Sequence, residues 1–338
     1  MTEKRLLQGD LQEIISASRS NLLKLDGSRI LILGGTGFIG KWLVSSLIEA
    51  QLELGLKYEI SIVTRFPEKS RQYFKGSRLN FIKHDLASGT LKLPNSDYFV
   101  HGSTPSVATT GAMNLKNVAS TTLNGTISIT NAINQKAATG GVTFLSSGAV
   151  YGQQSADVSH QPECPAGTPN PSLSVYGQTK LANEVLMGQI KSNFGIPVST
   201  PRLFAFYGPH ITLNEHFAIG NFIRDARAGG PIKVLGNSQT TRSYMYPTDL
   251  TKSLLQLIVH PEETAINLGS DQAFTMKQIA EQVSSMFNET EIKFLGEDKP
   301  HSNYVPATPW IHRMVQNGAQ VKFIDGLQRW ISWLDSKI

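Results

Sequence analysis

The stretch Arg29-Ile30-Leu31-Ile32-Leu33-Gly34-Gly35-Thr36-Gly37-Phe38-Ile39-Gly40 decides the fold. Its first five residues run apolar without polar alternation, as a strand covered on both faces of a parallel sheet requires. Residues 41–48 then carry apolar side chains at helical spacing. Between strand and helix, Gly34, Gly37 and Gly40 fall three apart. The first allows the tight turn, the second lets phosphates approach the backbone, and the third lets helix pack on strand. The helix N-terminus offers free N–H groups and a partial positive charge to a pyrophosphate. Gly34, Gly37, Phe38, Ile39 and Gly40 are therefore expected to hold a dinucleotide.

Working outward, further strands are expected at 58–64, 79–82, 98–100, 142–145 and 198–200, with helices at 115–138 and 176–194. Strands alternating with helices predict an α/β fold, a doubly wound parallel sheet of the Rossmann type. After about residue 203 the alternation breaks down. Helices are expected near 217–227, 276–287 and 325–334, with a strand at 265–268, as a smaller mixed α/β C-terminal substrate domain. Leu6, Leu7, Leu11, Ile14 and Ile15 form an amphipathic pattern, so residues 1–27 are read as an N-terminal helical extension. The dinucleotide domain is expected to take 28–203 plus about 243–262, and the substrate domain 204–242 plus 263–338.

Bulk composition narrows the partners. A chain of 338 residues can bury a full core. Its 31 basic and 26 acidic residues leave a net charge of +5, but the cations are scattered. That favours an anionic small molecule over nucleic acid. Cys164 is the only cysteine, which rules out an intramolecular disulfide and suits a reducing compartment. No run approaches the ~18–20 apolar residues of a membrane span, so no membrane partner and a cytoplasmic location are expected. His160 and Cys164 lie four apart with no further ligands nearby, so no metal is expected.

The end of the second strand distinguishes NAD from NADP, because an acid there binds the adenosine ribose and repels a 2′-phosphate. The chain has Thr64-Arg65 instead, with Lys69 and Arg71 close behind. That tilts the choice toward NADP, although Arg65 can equally be a solvated arginine stacking on adenine. Asp85 and Leu86 follow the third strand, where Asp85 either accepts from the adenine amino group or caps the next turn. His101 ends the fourth strand in a structural role, and Ser103 follows beside the nicotinamide.

Tyr176 and Lys180, spaced i and i+4, share one helix face. A free phenol with a pKa near ~10 is a poor base at neutral pH, and a nearby ammonium favours its ionised form. Tyr176 can then exchange a proton with a carbinol. Lys180 also donates to the nicotinamide ribose, and Ser147, at the end of the fifth strand, hydrogen-bonds the reacting oxygen.

These three motifs, with Pro201-Arg202-Leu203-Phe204, Tyr207-Gly208-Pro209, Gly230-Pro231-Ile232, Thr241-Arg242-Ser243-Tyr244 and Gly326-Leu327-Gln328-Arg329-Trp330, carry a resemblance. Over roughly residues 28–335 the chain resembles an extended short-chain dehydrogenase/reductase of the NAD-dependent epimerase/dehydratase family, which acts on nucleotide sugars. The resemblance implies that Arg242 clamps the substrate pyrophosphate. Asn221 is counted with it as a substrate contact, and the helices around 115–138 and 176–194 are expected to form a homodimer. Three positions depart from the family. Where its 4,6-dehydratases carry an acid pair, this chain has Gly148-Ala149, which argues against acid-assisted elimination and against the related decarboxylases. Ala205 replaces a common asparagine, and Ala307 an acid. The function expected is a nucleotide-sugar epimerase working through transient oxidation of a hydroxyl, C4 being favoured. The alternatives are an NAD(P)H-dependent 4-keto-sugar reductase and, from another class, a non-catalytic dinucleotide-binding regulatory protein.

Overall fold

A computed structural model describes residues 5–105, 115–134, 140–155, 157–164, 174–213, 217–262, 265–296, 298, 300–314 and 320–336. Two short helices, α1 (Gln8–Ala17) and α2 (Arg19–Lys24), lead into β1 (Arg29–Leu33). There follow α3 (Phe38–Leu54), β2 (Glu59–Thr64), α4 (Pro67–Tyr73), β3 (Leu79–Lys83), β4 (Tyr98–His101), α5 (Leu115–Asn134) and β5 (Gly141–Phe144). Next come β6 (Ser146–Ser147), α6 (Val175–Phe194), β7 (Val198–Ser199) and β8 (Arg202–Leu203). Residues 135–138, expected to finish the helix of α5, lie outside the described residues.

Six strands form one parallel sheet in the order β3-β2-β1-β4-β5-β7. Alternate side chains of each strand feed opposite cores, which is why β1 has no polar face. Ile30 and Ile32 join Ile60, Ile62 and Val100 beneath α1, α2, α3 and the C-terminal helices. Leu31 and Leu33 join Phe99, Val142 and Phe144 beneath Ile129 and Ile133 of α5 and Met187 and Ile190 of α6. The strand order reverses between β1 and β4, which opens a crevice at their C-terminal ends.

The remaining elements are α7 (Ala218–Arg227), β9 (Ile232–Val234), β10 (Thr241–Ser243), α8 (Pro247–Val259), β11 (Asn267–Leu268), β12 (Ala273–Thr275), α9 (Met276–Ser285), β13 (Ile292–Phe294), β14 (Asn303–Tyr304), α10 (Pro309–Met314) and α11 (Phe323–Asp335). With β6 and β8 they make three small sheets: β12-β10-β14, β11-β8-β6 and β13-β9. Strands of two or three residues have no measurable period, so the sequence pattern missed most of them. Helix α4 and helix α8, which packs on α3 and β5, were missed too.

The N-terminal helices are part of the core. Leu6, Leu11, Ile14, Ile15 and Leu22 are buried in the cluster that reaches Tyr207, Trp330 and Trp333. Asp10 of α1, itself buried, accepts from Tyr246 Oη at 2.8 Å and Arg329 Nη1 at 2.9 Å. Glu13 bonds Arg329 at 2.7 Å and Lys252 at 3.1 Å. Among the described residues, no helix is long and apolar enough to cross a membrane.

Candidate active site

The glycine turn has no room for side chains at two of its three positions. Gly34 adopts φ +88°, and a Cβ there would stand 2.7 Å from the Gly102 carbonyl carbon and 2.9 Å from Ser103 N. The β1 turn and the loop after β4 thus touch at the strand-order reversal. A Cβ on Gly40 would run into the backbone of Gly34 and Gly35, so α3 sits directly on the turn. Gly37, the N-cap of α3, differs: its nearest protein atom is Gly34 O at 3.5 Å. No side chain caps α3, so its first N–H groups remain available to phosphate oxygens. An open Gly37 and uncapped amides fit a dinucleotide pyrophosphate.

A cavity of about 650 Å³ runs from this turn in two directions. Toward one end it is lined by Thr64, Arg65, Phe66, His84, Asp85 and Leu86, and toward the other by Ser103, Ser147, Tyr176 and Lys180. Gly34, Gly37, Phe38, Ile39 and Gly40 lie between. Asp85 Oδ1 accepts from Ala87 N–H at 3.0 Å, so the turn cap considered above is present, on a residue that also lines the cavity. Exposed Arg65 lies over the Phe66 ring at 5.4 Å. Lys69 and Arg71 are not among the lining residues. Arg71 covers Phe81 at 5.2 Å and sits 3.7 Å from Glu68.

His101 is structural. Burial pushes its pKa down to about 4, so the ring is neutral. Nε2 is 2.9 Å from Thr122 O and Nδ1 accepts from Ser103 N–H at 3.3 Å, an arrangement that fixes the tautomer with the proton on Nε2. The ring thereby holds the start of the loop that follows β4.

Strand β6 delivers Ser147, whose Oγ accepts from Ala149 N–H at 3.2 Å and caps the 3₁₀ turn Gly148–Tyr151. Ser174 caps α6 by accepting from Gly177 N–H at 3.1 Å, which places Tyr176 in the first turn and Lys180 in the second. Lys180 Nζ donates to Leu145 O at 2.6 Å and stands 5.7 Å from the Tyr176 ring centroid. Burial pushes the Lys180 ammonium down to about 7, against the pull of Glu184 one turn further on. Burial also raises the Tyr176 phenol, while a hydrogen bond from Ser147 lowers it. Phenol, ammonium and hydroxyl thus meet at one end of the cavity, an arrangement that can exchange a proton with a carbinol or ketone oxygen.

Two residues behind this trio went unrecognised in the sequence. Glu184 repeats the i, i+4 step from Lys180, and its buried carboxylate takes a two-pronged pair from Arg202 at 3.0 and 2.7 Å plus the Ser146 hydroxyl. Tyr304, on β14, brings its phenol oxygen to within 2.8 Å of where a Cβ on Gly148, next to Ser147, would stand. The Tyr176–Lys180 spacing, extended one turn, points to Glu184; no local pattern points to Tyr304.

Of the expected substrate contacts, Ser147 lines the cavity, while Arg242 and Asn221 make their hydrogen bonds outside its lining. Arg242 is folded onto its own sheet, donating through Nη1 to Thr241 O at 2.8 Å and Ser302 O at 2.9 Å. Asn221 Oδ1 accepts from Arg224 at 3.0 Å. Neither is among the cavity's lining residues, whereas Ala205 is. His160 Nε2 lies 3.0 Å from Asp271 O, the Cys164 carbonyl accepts from Arg202 at 2.7 Å, and no metal-ligand group occurs among the described residues.

Residues 30–269 match the family model described as the NAD dependent epimerase/dehydratase family. UDP-glucuronic acid decarboxylase 3 of Arabidopsis thaliana is 29% identical over 274 residues, covering 79% of this chain and 77% of the relative. A UDP-N-acetylglucosamine 4-epimerase from Methanobrevibacter ruminantium M1 superposes with a TM-score of 0.77 at 19% identity, over 91% of this chain and 98% of that one. UDP-glucuronic acid 4-epimerase from Bacillus cereus, solved with UDP-glucuronic acid and NAD, gives a TM-score of 0.74 at 21% identity, over 90% and 98%. At such identities the structural likeness shows the fold.

Proposed function

The chain belongs to the NAD-dependent epimerase/dehydratase family, and from that premise we propose that it is a nucleotide-sugar epimerase acting through transient oxidation of a hydroxyl, at C4 by preference. One observation carries this: Ser147, Tyr176 and Lys180 close one end of the cavity, and no carboxylate among the described residues lines that end. Asp85, toward the other end, is the only carboxylate lining the cavity among the described residues. Gly148 and Ala149 cannot supply the acid and base of an elimination, which supports reversible redox at a carbinol as the reaction. The names of the relatives and fold neighbours support a UDP-linked sugar as substrate.

In this scheme residues 28–203 plus about 243–262 hold the dinucleotide and 204–242 plus 263–338 receive the sugar. The dinucleotide, when bound, supplies reversible hydride acceptance at the carbinol carbon. Tyr176 Oη takes the hydroxyl proton and later returns it. The Lys180 ammonium lowers the cost of the phenolate and donates to the nicotinamide ribose, while Ser147 donates to the reacting oxygen. The keto sugar must turn over before reduction on its other face. NAD is supported by the Bacillus cereus neighbour; Arg65, which does not repel a 2′-phosphate, keeps NADP in the proposal. The same Arg65 favours the second reading, a 4-keto-sugar reductase that uses the trio once.

Purified protein is to be incubated with UDP-sugars, UDP-glucuronic acid and 4-keto sugars, with and without NADPH, and followed by cofactor absorbance and product NMR. Isomerised sugar without net cofactor change is expected. Stoichiometric NADPH loss would establish the reductase instead, and a pentose product the decarboxylase. Binding without turnover, unchanged in Tyr176→Phe, would leave the regulatory protein.

We also infer a homodimer through α5 and α6, which pack on each other and expose Leu115, Ile127, Val175, Val185, Leu186 and Phe194. Sedimentation should show a dimer that Val185→Lys/Leu186→Lys converts to monomer. A monomeric parent protein would end the idea.

A further inference from the structure

Besides Arg65, a second cation faces the end of the cavity away from Tyr176. Lys41, directly after Gly40 on α3, lines the cavity together with Arg65 and His210. Its Nζ stands 5.0 Å from the centroid of the Tyr73 ring. Tyr73 belongs to α4, the element that follows β2, so the ammonium lies on the β2 side of the glycine turn. That ring is a fixed platform. It is buried, packs edge-on against Phe74 at 4.7 Å, and brings Oη to 2.8 Å from His210 Nε2. His210 reaches it from a left-handed backbone, φ +75°, which a residue with a Cβ adopts at a cost. An ammonium over an aromatic face is attracted by the ring's quadrupole, so Tyr73 holds Lys41 beside the path from the turn to β2.

Arg65 stands at the end of β2 itself. It follows Thr64, whose Oγ1 accepts from Phe66 N–H at 3.2 Å and so fixes the turn that carries it. A dinucleotide with its diphosphate on the α3 amides meets the end of β2 with its adenosine ribose. An acid at that end would take the ribose hydroxyls, and Thr64-Arg65 supplies none. The diphosphate already has the amides of the turn, so cations on the β2 side suit a further anion. We propose that Lys41 and Arg65 form a subsite for the 2′-phosphate of NADP(H), and that the protein therefore prefers NADP(H) to NAD(H). The phosphate would accept charge-assisted bonds from both side chains, where NAD offers a neutral hydroxyl. Lys69 and Arg71, the cations that the sequence set beside Arg65, line no part of the cavity; Lys41 takes their place from another element.

This rests on the reading of the crevice as a dinucleotide site and is independent of which sugar is turned over. NADPH and NADH are titrated separately into the protein and binding is followed by cofactor fluorescence. The parent should bind NADPH about 10–100-fold more tightly than NADH, with the preference shrinking as salt is raised. Lys41→Met keeps the aliphatic stem against Tyr73 and removes the charge. It should weaken NADPH about tenfold while leaving NADH within about twofold, and NADH binding also reports that the variant is folded. Arg65→Ala should behave in the same way. A parent that binds NADH as tightly as NADPH would overturn the proposal. So would a Lys41→Met protein in which both cofactors weaken equally, because Lys41 would then serve the diphosphate that the two share. A parent that binds neither cofactor would instead remove the dinucleotide site, and this subsite with it.

Discussion

Tyr176→Phe is expected to lower kcat by about 10²–10⁴-fold, the range by which a positioned proton donor or acceptor contributes. The substitution removes one oxygen and leaves the ring, which lies 5.7 Å from Lys180 Nζ. Lys180 keeps its bond to Leu145 O at 2.6 Å, and the glycine turn is untouched. Dinucleotide affinity should therefore stay within a few-fold, read by titration of the bound cofactor's fluorescence, while turnover collapses. Removing Ser147 should cost less, because it assists at an oxygen whose proton Tyr176 still carries. A Phe variant that turns over at the parent rate would remove Tyr176 from the mechanism.

The second large effect is on stability. Glu184→Ala strips a buried guanidinium of its counter-ion: Arg202 and Glu184 have side chains 2% and 1% exposed and meet at 2.7 Å. Breaking one partner of such a pair costs about 3–5 kcal/mol, because the remaining charge stays buried, whereas replacing both by apolar groups is often near neutral. Urea unfolding of Glu184→Ala should show that loss, and Glu184→Leu/Arg202→Met should recover most of it. Glu184 also pulls Lys180 upward, so without it the ammonium, already pushed down to about 7, loses its proton at still lower pH. A variant as stable as the parent would show that water reaches Arg202.

Legibility followed the distance over which each feature is specified. The turn at 34–40 and the pair Tyr176–Lys180 were readable because each is set by neighbours in the chain: a backbone that tolerates no Cβ, and a helical step of four. The alternation of strand and helix gave the six parallel strands for the same reason. Residues 241–243 and 303–304 form strands too short to carry a pattern, so nothing local announced that Arg242 turns back onto Ser302 or that Tyr304 reaches Gly148. Glu184 lay one helical turn past a recognised lysine, yet its importance comes from Arg202, on another strand.

The sequence by itself determined an α/β fold of the dinucleotide-binding kind and singled out the trio proposed to exchange a proton, because turn sterics and helix periodicity are properties of contiguous residues. Only the tertiary structure decided what surrounds that trio: an ion pair beneath it, a second phenol beside it, and a cavity that Arg242 and Asn221 do not line. Those are contacts between distant segments, and their energy lies in burial and mutual desolvation, which exist once the chain has packed.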